Sequence, residues 1–234
     1  MYWQKSPALR GNMSEQKANI KGFIFDLDGT LIDALPDIRA NANRALKKLG
    51  YDFQMTTEET QPHVGGGAQK LASNVLGKPM DHADTMAMYH AFTDFYEQHP
   101  ADEGTMLPGV KETLDTLQAK GYPMCIVTAK PAKARVKVTQ ALGLDDYMTL
   151  ALSPEDGFPK KPAPDMLLEC CRAMGIDHSE VVMVGDTRFD VEAGFAADSH
   201  TVCFAEHGYQ DVPAEYADKV VSLPHFTDLL KLID

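Results

Sequence analysis

Apolar residues fall along this chain in two patterns. Short unbroken runs rich in Val and Ile recur at about Lys21–Leu27, "YPMCIVT" (Tyr122–Thr128), "YMTLALS" (Tyr147–Ser153), "EVVMVGD" (Glu180–Asp186), "HTVCFAE" (His200–Glu206) and "KVVSL" (Lys219–Leu223). Strands buried on both faces read this way, because neither face meets water. Between the runs, apolar positions recur every three to four residues, which predicts helices. "GVKETLDTLQAKG" places Val110, Leu114 and Leu117 on one side and stops at Gly121. "PAKARVKVTQALG", with Pro131 suited to a first helical turn, "PAPDMLLECCRAMG", "TRFDVEAGFAA" and the closing "PHFTDLLKLI" follow. This alternation predicts an α/β fold, a Rossmann-like parallel sheet with helices on both faces.

The alternation breaks once. No convincing strand is visible between Asp33 and Pro108, where three helical patterns stand in a row. The first, "PDIRANANRALKKLG", would turn Ile38, Ala42, Ala45 and Leu49 inward; "GAQKLASNVLG" and "DHADTMAMYHAFTDFYEQH" follow. The reading is an all-helical cap, residues 34–105, inserted into a catalytic core of residues 20–33 and 106–234. Its hinges are expected at Leu31–Leu35 and Ala101–Pro108. Residues 1–19, "MYWQKSPALRGNMSEQKAN", read as a polar disordered tail without the apolar core of a signal peptide.

Charge narrows the partners. Lys and Arg number 22 against 34 Asp and Glu, a formal net charge of -12. That field disfavours nucleic acid and anionic membrane surfaces, and no apolar stretch is long enough to span a bilayer. The four cysteines show neither zinc spacing nor a disulfide framework. They read as buried small hydrophobes in a cytoplasmic protein. A monomer or a homodimer is equally compatible with the sequence.

The ends of the strands carry the candidate chemistry. In an open parallel sheet, ligands gather beyond the carboxyl ends of the strands. The first run delivers Asp26 and Asp28, the second Thr128, and the fourth Gly185-Asp186 with Asp190 four residues on; the loop after the third carries Lys160-Lys161-Pro162. Two carboxylates ~4 Å apart repel by about 4 kcal/mol at an effective dielectric of about 20, which is about three pKa units. Convergent carboxylates therefore call for a cation. An oxygen-only ligand set points to a hard ion, Mg²⁺, which commonly completes its shell with substrate phosphate. Such an ion, with Lys161, would let an acidic protein hold an anion. Asp26 is placed to attack phosphorus. Asp28, one pleat on, is placed to act as general acid and then general base. Gly29 lets the backbone turn sharply and its amides approach a phosphate. Thr128 offers a hydroxyl and Lys161 a point charge.

"DLDGT" (Asp26–Thr30), Val127-Thr128, "KPAPD" (Lys161–Asp165) and "GDTRFD" (Gly185–Asp190), in this order, resemble the four motifs of the haloacid dehalogenase-like superfamily. "DLDGTLIDALPDI" with "HVGGGAQ" (His63–Gln69) is most similar to its phosphoglycolate phosphatase group, which has a helical cap. The resemblance implies a phosphomonoester hydrolase working through an aspartyl-phosphate on a small phosphorylated metabolite, phosphoglycolate first. It implies Mg²⁺ held by the Asp26 carboxylate, the Asp28 carbonyl and the Asp186 carboxylate, with Asp190 orienting its waters or Lys161. Phosphate would meet Gly29, Thr30, Thr128, Ala129 and Lys161. Many relatives carry asparagine where Ala129 stands, so only a backbone amide remains there. Other readings are a phosphatase of a sugar phosphate or of pyrophosphate, a phosphomutase, and a catalytically silent binding protein on the same fold.

Some residues have bland readings. "VGGGAQ" follows no strand and lacks a Gly-Lys-Ser/Thr, so it reads as a helix entry facing the substrate or a structural turn, not a phosphate loop. His63 and Lys70 are placed near the substrate's non-phosphate end. Lys160 reads as a solvated loop lysine, "TMAMYH" as packing within the cap, and Asp33 and Asp37 as residues at a helix start.

Overall fold

The computed structural model describes residues 19–233, so the expected tail lies outside the described residues apart from Asn19. Strand β1 (Gly22–Phe25) is buried at all four positions. It lies inside a six-stranded sheet with β4 (Met124–Val127), β5 (Met148–Leu152), β6 (Val181–Gly185), β7 (Thr201–Ala205) and β8 (Val221–Leu223), ordered β5-β4-β1-β6-β7-β8. All pairings in it are parallel, and β1 is bonded on both sides: Phe25 lies opposite Ile126 on one side and Val184 on the other. The chain returns on both sides of β1, which opens a crevice at its carboxyl end.

Side chains alternate across β1. Phe23 and Phe25 enter one apolar cluster, and Ile24 enters another with Cys125, Met166, Leu167 and Met183 on the opposite face. Continuous apolar runs are thus explained by two covered faces. The rule weakens at the edges: β5 is buried only at Leu152 and β8 only at Leu223, because an edge strand has one neighbour and thinner cover.

The inserted cap is helical, with α1 (Leu35–Lys48), the single turn α2 (Thr57–Thr60), α3 (Ala68–Leu76) and α4 (Ala83–Gln98). α1 buries Ile38, Ala42, Ala45 and Leu46; Leu49, expected inside, caps the helix end and is 36% exposed. Two short strands went unseen in the sequence. β2 (Ile32–Asp33) and β3 (Thr105–Met106) pair antiparallel, Ile32 with Met106, and so tie the two expected hinges together. Runs of two residues carry no periodicity to read. Asp37 reinforces the tie: its carboxylate accepts from the amides of Glu103 (3.0 Å) and Gly104 (2.8 Å).

Helices α5 (Val110–Ala119), α6 (Ala132–Ala141), α7 (Asp165–Met174) and α8 (Arg188–Ala196) follow the expected patterns. Pro131 stands just before α6 with extended ψ of 138°, outside the first turn. The closing segment Phe226–Leu232 is a 3₁₀ helix. No described helix is long and apolar enough to cross a membrane.

Candidate active site

Backbone geometry assembles the site first. The amide of Asp26 donates to Val184 O (2.9 Å), which carries the β1–β6 ladder one residue past the strand. The chain then folds back on itself: the Leu31 amide reaches Leu27 O at 2.9 Å and the Gly29 amide reaches Ile32 O at 2.8 Å. Gly29 adopts φ +85°, and a Cβ there would collide with Asp186 Oδ2, so the turn and the neighbouring carboxylate both require glycine. Gly185 and Gly208 play the second part alone; side chains there would strike Asp190 and Asp186.

Asp26, Asp186 and Asp190 are all buried, and each offers a carboxylate oxygen within 4.8 Å of the others. Lys161, 8% exposed, lies among them, with Nζ 2.9 Å from Asp26 Oδ1 and 2.6 Å from Asp190 Oδ1, and it donates to Val127 O at 2.8 Å. Burial works against its ammonium, yet Asp190 and Asp26 outweigh that and hold its pKa above the usual lysine value. The Thr187 amide and hydroxyl take up Asp190 Oδ2 at 3.0 and 2.6 Å. Both Asp190 oxygens are therefore engaged, Oδ1 by Lys161 and Oδ2 by Thr187. Asp186 accepts from Thr30 Oγ1 (3.2 Å) and the Tyr209 amide (2.8 Å). Burial, then the charges of Asp26 and Asp190, push Asp186 well above the carboxylate range. Burial, opposed by Lys161, pushes Asp26 up to about 7.

This charge balance suits a bound cation. Lys161 offsets Asp190, while Asp26 and Asp186 share an excess of negative charge that burial makes costly. Asp26 Oδ1 is buried and, although close to Lys161, accepts no aligned hydrogen bond. Two buried carboxylates close together, with oxygen donors alone, suit a hard divalent ion.

A cavity of about 90 Å³ opens above these groups. Asp26, Asp28, Thr128, Ala129 and Lys161 line it from the core, and Ile38, Val64, Leu71 and Phe92 form an apolar roof from the cap. Gly29 and Thr30, expected to meet phosphate, do not line it; Thr30 is fully buried, with its hydroxyl on Asp186. Thr128 is 1% exposed, and its hydroxyl accepts from the Lys130 amide at 3.1 Å, leaving its proton free for a ligand. The glycines 65–67 all take positive φ and line the cavity at the entry to α3. His63 and Lys70 do not line it: His63 faces a separate depression beside Phe53 and Met55, and Lys70 is exposed. Lys160, exposed as expected, nevertheless lies on the cavity wall.

Sequence reasoning missed Lys130 altogether. It is 6% exposed, and its Nζ binds both oxygens of Asp28, at 2.8 and 2.9 Å. A lysine two residues after the strand-tip threonine was the available signal. Tyr96, whose hydroxyl accepts from Lys130 at 3.1 Å, gave none, because an aromatic on a helix's apolar face reads as core.

Fold and site define a hydrolase of phosphate esters. The chain belongs to the haloacid dehalogenase-like hydrolase family, whose profile matches residues 23–204. It is 34% identical to a phosphoglycolate phosphatase of Chromobacterium violaceum over 219 residues, covering 91% of this chain and 97% of that protein. It is 29% identical to an N-acetylmuramic acid 6-phosphate phosphatase of Pseudomonas aeruginosa, covering 94% and 97%. The crystal structure of a predicted phosphoglycolate phosphatase from Haemophilus somnus superposes with a TM-score of 0.81 at 27% identity, covering 92% of this chain and 99% of that one. This chain is a phosphatase acting on a small phosphorylated compound.

Proposed function

We propose that this protein hydrolyses phosphoglycolate or a close relative of it, in the cytoplasm, with Mg²⁺ as cofactor and Asp26 as nucleophile. The observation that carries the chemistry is the Asp26 carboxylate at the cavity floor, buried and ion-paired with Lys161 at 2.9 Å. Asp26 attacks phosphorus to form an acyl phosphate, and Asp28 gives its proton to the departing alkoxide. Asp28 then takes a proton from water, the resulting hydroxide attacks phosphorus, and phosphate leaves with Asp26 restored. Lys161, Thr128 and the Ala129 amide are placed to hold the equatorial oxygens. Asp26, Asp186 and the Asp28 carbonyl would hold the ion, which supplies Lewis-acid stabilisation of the charge that builds on those oxygens.

Lys160, which has no partner among the described residues, offers its ammonium to a substrate carboxylate from the cavity wall. Four buried, unpaired cysteines suit a reducing compartment. The test is phosphate release from a panel of small phosphoesters with and without Mg²⁺, beside Asp26→Asn. The variant should lose turnover by at least ~10³-fold while keeping its melting temperature; wild-type-like turnover removes the nucleophile assignment.

A further inference from the structure

Lys130 joins the core to the cap at the point where Asp28 works. Its ammonium grips both Asp28 oxygens, donates to Tyr96 Oη at 3.1 Å, and lies 4.2 Å from the centroid of the Tyr96 ring. Lys130 sits in the loop after β4; Tyr96 sits near the end of α4 in the cap and is 2% exposed. The Lys130 amide is fixed in turn on Thr128 Oγ1. Asp28 itself is only partly buried and lies in an irregular turn, and among the described residues no other side chain is bonded to its carboxylate. Without Lys130, its plane would be free to turn about the Cβ–Cγ bond.

We infer that Lys130 is a positioning residue that aims the Asp28 carboxyl, and that Tyr96 delivers the cap's share of that aim. This rests on the phosphatase reading and extends it: the cap roofs the cavity and also sets the geometry of a proton-transfer group. Neither Lys130 nor Tyr96 is asked to touch phosphorus. Lys130 differs in this from Lys161, which lies against Asp26 on the other side of the site.

An acid that is misaimed matters most when the departing oxygen needs its proton. The test compares kcat/KM for phosphoglycolate, whose alkoxide leaves poorly, with that for 4-nitrophenyl phosphate, whose phenolate leaves unaided. Lys130→Met should lower the first by ~10²-fold and the second by under ~5-fold. Tyr96→Phe keeps the ring and removes the hydroxyl, and should shift the ratio the same way by ~3–5-fold with an unchanged melting temperature. A loss equal on both substrates, or no loss in either variant, overturns the inference. A wild-type protein that turns over neither substrate overturns the phosphatase reading and this inference with it.

Discussion

Single side chains carry the chemistry through their surroundings. Asp26 is an ordinary aspartate whose burial raises it to about 7. A carboxyl raised on folding favours the protonated native state, so its contribution to stability is full below the usual carboxylate range, near pH 4, and is lost as pH rises towards 7. A divalent ion bound there must displace that proton. Mg²⁺ should therefore raise the melting temperature more at pH 8 than at pH 5, and Asp186→Asn should remove most of the rise at both. Thermal melts with and without the ion decide this, and equal shifts at the two pH values contradict it. The residues picked out in the sequence were those at the ends of apolar runs, Asp26, Asp28, Thr128 and Asp186, with Lys161 and Asp190 added from the segments that follow them. A strand tip is a marked position, so a polar group there stands out. His63 and Lys70 were misplaced because nothing in a helix entry says which way a flexible side chain turns.

Among the elements, the buried strands were easiest to read, since two covered faces leave no polar alternation. Edge strands β5 and β8 were read from the same kind of run despite their partial burial, whereas the two-residue pair β2–β3 was missed, because so short a length leaves no pattern. Loops set the precision of the site. The segment after β7 passes so close to Asp186 that a Cβ on Gly208 would strike it, while the next amide, from Tyr209, binds its Oδ2. Gly208→Ala should displace Asp186, cost ~1–3 kcal/mol in urea unfolding and weaken Mg²⁺-dependent stabilisation at least ~10-fold in apparent affinity. Unchanged Mg²⁺ affinity in a folded variant would show that the loop's close approach has no bearing on the ion site.

For the molecule as a unit, one fact governs cooperativity. A single apolar cluster runs from Phe23 and Phe25 on the sheet through Leu31 and Ile32 into Ile38, Leu46 and Met88 of the cap. Cap and core therefore share apolar contacts that neither could keep alone. Calorimetry should show one unfolding transition. Met88→Ala in the cap and Leu114→Ala in the core, each fully buried, should each lower that one transition by ~2–5 kcal/mol. Two resolved transitions, with Met88→Ala moving only one, would mean that the cap unfolds independently.

Local order along the chain was enough to settle the sheet, the helical insertion and the oxygen-rich strand ends, because burial on both faces and the chemistry of strand tips leave their mark on consecutive residues. The pairing of Lys130 with Asp28, 102 positions away, and with Tyr96 from the cap arises from packing between distant segments. The position of Lys130 just past a strand tip hinted at the site, but not at its partners, since the side chains that satisfy a buried charge are chosen by whichever surfaces the folded chain brings together.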